Sequence, residues 1–130
     1  MDMGFDSDPA GHGQDLDLRL LAQAVQDSLD PMGEALARVI EERTDQTTEE
    51  LVRAFMNWAF PTHTLAHLLN EFYVNHGHEI EGLREMAYAL APFNHNMVQV
   101  LEDKPVVADM AVGWMGVREC CERVLENLPF

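Results

Sequence analysis

Residues 15–44 read DLDLRLLAQAVQDSLDPMGEALARVIEERT. Apolar side chains return there every three or four positions: Leu18, Leu21, Ala22, Val25 and Leu29, then Met32, Leu36, Val39 and Ile40. That period is the mark of an amphipathic α-helix, and nowhere does the chain show the strict alternation of a half-buried strand. Asp15 and Asp17 stand where the positive end of a helix favours acids. Asp30-Pro31 predicts a break, because proline lacks an N–H and collides with the preceding turn. Pro31 then opens a second helix, at a position where the missing N–H is harmless, that runs to about Thr44.

The same reading extends along the rest of the chain. Thr47-Thr48-Glu49-Glu50 matches a capping box, with Thr47 as the cap and Glu50 reaching back. A third helix follows to about Phe60, with Leu51, Val52, Phe55, Met56 and Ala59 inward, and Pro61 ends it. Thr62 is expected to cap a fourth helix that reaches about His76, where Gly77 supplies a left-handed stop. A fifth covers about 78–91, with Ile80, Leu83, Ala87 and Leu90 inward, before Pro92. A sixth covers about 94–103, and Pro105 opens a last helix to about Asn127. The expectation is an all-α fold: a compact single-domain bundle of about six or seven helices over residues 15–130. Residues 1–14, rich in Asp and Gly, read as a flexible acidic N-terminal arm.

Charge excludes more than it asserts. The 130 residues carry 23 acids and 8 bases, a formal net charge of −15. Direct nucleic-acid binding needs clustered Lys and Arg to displace counterions. This chain has one lysine, Lys104, and no basic cluster. Anionic membrane surfaces are disfavoured for the same reason. The longest nearly apolar run, Val106 to Val117, is too short to span a bilayer. The N-terminal MDMGFDSD has no basic or apolar leader region. Cys120 and Cys121 are adjacent, which suits reduced thiols, so a cytoplasmic setting is expected.

Catalytic signatures are missing: no Gly-x-Ser-x-Gly, no phosphate-cradling glycine loop, no His-Glu-x-x-His. No catalytic residue and no cofactor is assigned. His63, His67 and Glu71, spaced i, i+4 and i+8, form the one metal-like row, with His78 as a further ligand. The angular count places this row opposite Leu65, Leu68, Leu69 and Phe72, so a solvated polar face is the better reading. Cys121 falls on the inner stripe of the last helix and reads as a small buried apolar residue. Gly113 and Gly116 share one side of that helix and cost about 1 kcal/mol each relative to alanine. Close approach of another backbone, within the bundle before a partner's, is the expected compensation. Leu16 and Leu20 on the first helix, and Val112 and Met115 on the last, lie off the main stripes and are candidates for an external contact.

These features point to a small acidic protein-binding module. Its expected binding residues are Asp15, Leu16, Asp17, Leu20, Glu34, Glu41, Glu42, Asp45, Glu49 and Glu50. The partner is expected to be a basic protein surface, most concretely a nucleic-acid-binding enzyme or complex that the acidic helices block by imitating DNA. In size and charge the chain resembles small phage-encoded inhibitors of host nucleases and defence complexes. Two other readings stand beside it: a helical metal-binding protein using the His/Glu row, and an accessory component that self-associates through its off-stripe apolar residues.

Overall fold

The structure, a computed structural model, describes the backbone of residues 12–130 and the side chains from Leu16 onward. Of the expected arm, residues 1–11 lie outside the described residues, and residues 12–14 already belong to the first helix. Four α-helices follow in order: α1 (His12–Glu41), α2 (Asp45–Phe72), α3 (Leu83–Leu101) and α4 (Val107–Glu126). A short 3₁₀ turn, Val74–His76, leads out of α2. No strand occurs among the described residues.

Each helix runs antiparallel to the next. α1 packs against α2 and α4, and α3 packs against the same two, so α1/α3 and α2/α4 are diagonals of a four-cornered bundle. One end holds the α1–α2 and α3–α4 turns. There Arg43 donates to the Val100 carbonyl at 2.7 Å and the Lys104 carbonyl at 3.1 Å. At the other end Arg19 of α1 lies 5.7 Å from the ring of Phe130, which also meets Tyr73 at the end of α2.

The expected six or seven helices are therefore four, because Pro31, Pro61 and Pro92 lie inside α1, α2 and α3. An interior proline costs about 3 kcal/mol. The apolar stripe explains the continuity, since it stays in phase through each one: Leu29, Met32 and Leu36; Trp58, Thr62 and Leu65; Leu90, Phe93 and Met97, all buried. Each large apolar side chain buried beyond the proline returns about 1.5–3 kcal/mol, so continuing the helix costs less than abandoning the stripe.

The caps shift accordingly. Thr44, not Thr47, caps α2. Thr47 is its N3 partner: its amide donates to Thr44 Oγ1 at 3.1 Å, while the Thr44 amide donates to Thr47 Oγ1 at 2.8 Å. Glu50 pairs instead with Arg38 across the hairpin at 3.4 Å. Thr62 caps nothing and is buried within α2. Gly77 does adopt the left-handed stop, with φ 93°. Gly82 is also left-handed, and a Cβ there would stand 3.1 Å from the Cys120 carbonyl oxygen, so only glycine fits where the α2–α3 loop meets α4. Three residues expected inward are exposed: Ile40, Met56 and Ala87. Ile40 and Met56 each stand about 100° past a buried neighbour, Val39 and Phe55, which carries them off the stripe. His76 lies beyond the end of α2, in the 3₁₀ turn.

All four helices meet in an aromatic layer. Trp58 of α2 and Trp114 of α4 stack edge to face with centroids 5.2 Å apart, and Phe93 of α3 lies 5.7 and 6.0 Å from them. Gly33 is α1's contribution, since a Cβ there would come within 3.3 Å of Trp114 Nε1. Neither buried indole N–H has a hydrogen-bond partner among the described residues, nor does Thr62 Oγ1. Each such group costs about 1–3 kcal/mol.

Candidate interaction surface

From Leu16 onward the bundle turns the polar face of α1 outward. Asp27, Glu34 and Glu41 are exposed at intervals of seven residues. At about 1.5 Å per residue they form a row about 21 Å long on one side of the helix. Leu20, seven residues before Asp27, extends the line, and Leu16 lies one turn further back; both are more than half exposed. Glu42 and Asp45 carry the row round the three-residue turn.

The expected binding residues separate into two groups. Leu16, Asp17 and Leu20 lie at the free end of α1. Glu41, Glu42, Asp45, Glu49 and Glu50 crowd about the α1–α2 turn, with Glu34 between. The span from Leu20 to Glu41 is about 32 Å of rigid helix. The side chain of Asp15 lies outside the described residues. Asp27 was missed by the sequence reading, although the seven-residue spacing was there to find it; it accepts a hydrogen bond from Gln23 at 2.8 Å.

Ion pairing divides these acids further. Glu49 pairs with Arg53 at 3.7 Å and Glu50 with Arg38. Asp27, Glu34, Glu41, Glu42 and Asp45 form no ion pair among the described residues. Arg43, the base nearest the turn in sequence, is held by the α3–α4 carbonyls. Asp30 sits at the edge of the row and accepts from Arg118 of α4 at 2.6 Å, which raises the guanidinium above its ordinary value. The turn and the outer face of α1 therefore carry more exposed carboxylates than bases.

The histidine row is solvated. His63, His67, Glu71 and His78 are all exposed. His63 and His67 line an open groove of about 830 Å³ between the end of α2 and the start of α3, together with Asn70, Glu79, Arg84 and Tyr88. Neither Glu71 nor His78 lines it, and His78 packs its ring edge-on to Tyr73. Among the described residues no three His, Cys, Asp or Glu side chains come together as a metal site.

Cys121 is fully buried, and burial pushes its thiol up to about 11 against the opposing influence of the Trp58 indole. Burial also raises the half-buried Cys120. Neither is an activated thiolate. The two helical glycines meet no backbone inside the bundle: a Cβ at Gly113 would touch only Phe93 Cζ at 4.0 Å, and one at Gly116 would touch nothing. The expected intramolecular approach is thus overturned, because both glycines lie on α4's outward side. No helix among the described residues is long and apolar enough to cross a membrane.

These features define a four-helix bundle with an acidic outer helix. The chain matches no family model, no curated protein and no solved structure.

Proposed function

We propose that this protein is a small acidic binding module that lays the outer face of α1 and the α1–α2 turn on a basic protein surface. The observation that carries the reading is the row Asp27, Glu34 and Glu41, continued by Glu42 and Asp45, exposed and without ion pairs among the described residues. Carboxylates fixed on one rigid helix need little ordering when they bind, so complementary charge is converted efficiently into association rate and selectivity. The most concrete form is an inhibitor that covers a nucleic-acid-binding groove. Phosphates recur every 3.4 Å along a DNA strand, so a row of about 21 Å spans roughly six of them. Leu16 and Leu20 add apolar area at the far end of the same face.

The test is affinity capture from lysate of the source cells, eluted in rising salt, beside the variant Glu34→Lys/Glu41→Lys/Glu42→Lys. A basic nucleic-acid enzyme released between roughly 0.1 and 1 M salt is expected, since screening lengths fall there from about 10 to 3 Å. The triple variant should retain wild-type helicity and bind that enzyme at least about tenfold more weakly, or about 1.4 kcal/mol. A partner held equally by both proteins at high salt would exclude the electrostatic mechanism.

A further inference from the structure

We infer that His63 and His67 form a two-imidazole site for a late divalent transition-metal ion, Cu²⁺ above the others, on the α2 wall of the groove between α2 and α3. The two histidines stand one helical turn apart in the second half of α2, and both are exposed. Residues at this spacing carry their Cβ atoms about 5–6 Å apart on one side of the helix. Imidazole rings that lean toward each other from there reach two neighbouring positions of a single ion. Their nitrogens then stand about 2.0–2.1 Å from the metal, and so about 3 Å from each other.

Three observations favour this pair over the longer row that includes Glu71 and His78. Both rings are free: no hydrogen bond, ion pair or ring contact engages His63 or His67 among the described residues, whereas His78 is committed edge-on to Tyr73. The backbone beneath them is fixed, since Thr62, Leu65, Ala66 and Leu69 are all buried in the bundle. Two side chains on so firm a support need little ordering when they bind. The groove itself suits a cation. Glu79 and Glu85 line it without ion pairs among the described residues, and Glu81 lines it while pairing with Arg123, against the one base Arg84.

Such a site is complete without a third protein ligand. The positions that two imidazoles leave open are taken by water, which the open groove of about 830 Å³ admits. Ligand type selects the metal. Imidazole suits Cu²⁺, Ni²⁺ and Zn²⁺, whereas Mg²⁺ and Ca²⁺ take oxygen donors, and Cu²⁺ binds most tightly of the first-row divalent ions. Cu²⁺ also favours the tetragonal arrangement in which two adjacent nitrogens combine with water oxygens. The inference does not depend on the proposed function, and its test uses the purified protein with a metal salt.

Calorimetric titration of the full chain with copper(II) chloride should show one saturable ion per chain, and electron paramagnetic resonance should show hyperfine splitting from two nitrogens. His63→Asn, and separately His67→Asn, should each weaken binding at least about tenfold. Both positions are exposed, so each variant should keep the wild-type far-UV circular dichroism. Glu71→Gln and His78→Asn should leave the affinity within about twofold. Ni²⁺ and Zn²⁺ should bind more weakly than Cu²⁺, and Mg²⁺ should not compete. Equal Cu²⁺ binding by the His63→Asn/His67→Asn variant overturns the inference, because scattered surface carboxylates would then be the ligands. So does loss of binding in Glu71→Gln or His78→Asn, or a wild-type titration that shows no saturable site.

Discussion

The outer faces of α1 and α4 belong to the same bundle and the same strongly acidic chain, yet they arrange their charges differently. Along α1 the sign of charge hardly changes: Asp27, Glu34 and Glu41 repeat, and the nearby Arg38 is already engaged by Glu50. Along α4 the signs alternate, and Arg118 and Arg123 pair with Glu122 and Glu119 one turn away. A face of one sign repels its own copy and favours surfaces of opposite sign. A face whose acids are matched by bases on the same helix presents little net field to any partner. Net charge, a single number for the whole chain, hides this difference. The order of charges along each helix reveals it.

Both faces depend on the aromatic layer beneath them, so the largest expected effect is there. Trp58→Ala should cost about 3–5 kcal/mol in urea unfolding, since it removes the ring that contacts Phe55, Phe93 and Trp114 together. Trp58→Phe should cost clearly less, because it keeps an aromatic ring in the layer. Equal losses in the two variants would mean that the layer does not bind the two faces into one unit.

A second effect separates the inner side of α4 from its outer side. The Cys121 thiol has an ordinary value of 9.0, raised to about 11 in the folded protein. The folded state therefore holds a proton between these values that the unfolded state has released. Stability contributed by the neutral thiol is complete below pH 9 and lost as pH rises toward 11, up to about 2–3 kcal/mol. Cys121→Ala should be less stable at pH 7 but show a shallower decline from pH 9 to 11 in the same urea titration. Parallel curves for the two proteins would show that the inner side of α4 is open to water.

The smallest effect concerns the join between the two faces. Asp30→Asn removes the charge that holds Arg118 across the α1–α4 seam. Because Asp30 is mostly exposed, the expected loss is only about 0.2–1 kcal/mol, shrinking further in 0.5 M salt. A loss well above that range would mean the seam couples the faces more tightly than their separate chemistry implies.

Most of the interior was legible from periodicity. Leu18, Val25, Leu29, Met32, Leu36, Leu51, Phe55, Leu65, Leu69 and Leu83 are all buried. The number of helices was not, because proline was given more weight than phase. A stripe that resumes at the expected angle after proline, as Leu29 to Met32 and Leu90 to Phe93 do, marks a helix that continues. The α1–α2 turn was legible in kind but displaced by three residues: two threonines stood one turn apart, and either could satisfy the pattern. The acidic row was only half legible. Sequence counts acids, but which of them lose their charge to an ion pair depends on neighbours far along the chain, as Asp30 does on Arg118.

Arg43 holds a consequence for how the protein lives in time. Its guanidinium spans the turn of the first helical hairpin and two carbonyls lying 57 and 61 residues further on. Helical hairpins close quickly because their partners are near in sequence. This clasp forms only after both hairpins exist and have met, so it is absent from the early nucleus. Interactions made that late hold back unfolding without hastening folding. Arg43→Ala is therefore expected to quicken unfolding in a stopped-flow denaturant jump while leaving the folding rate nearly unchanged.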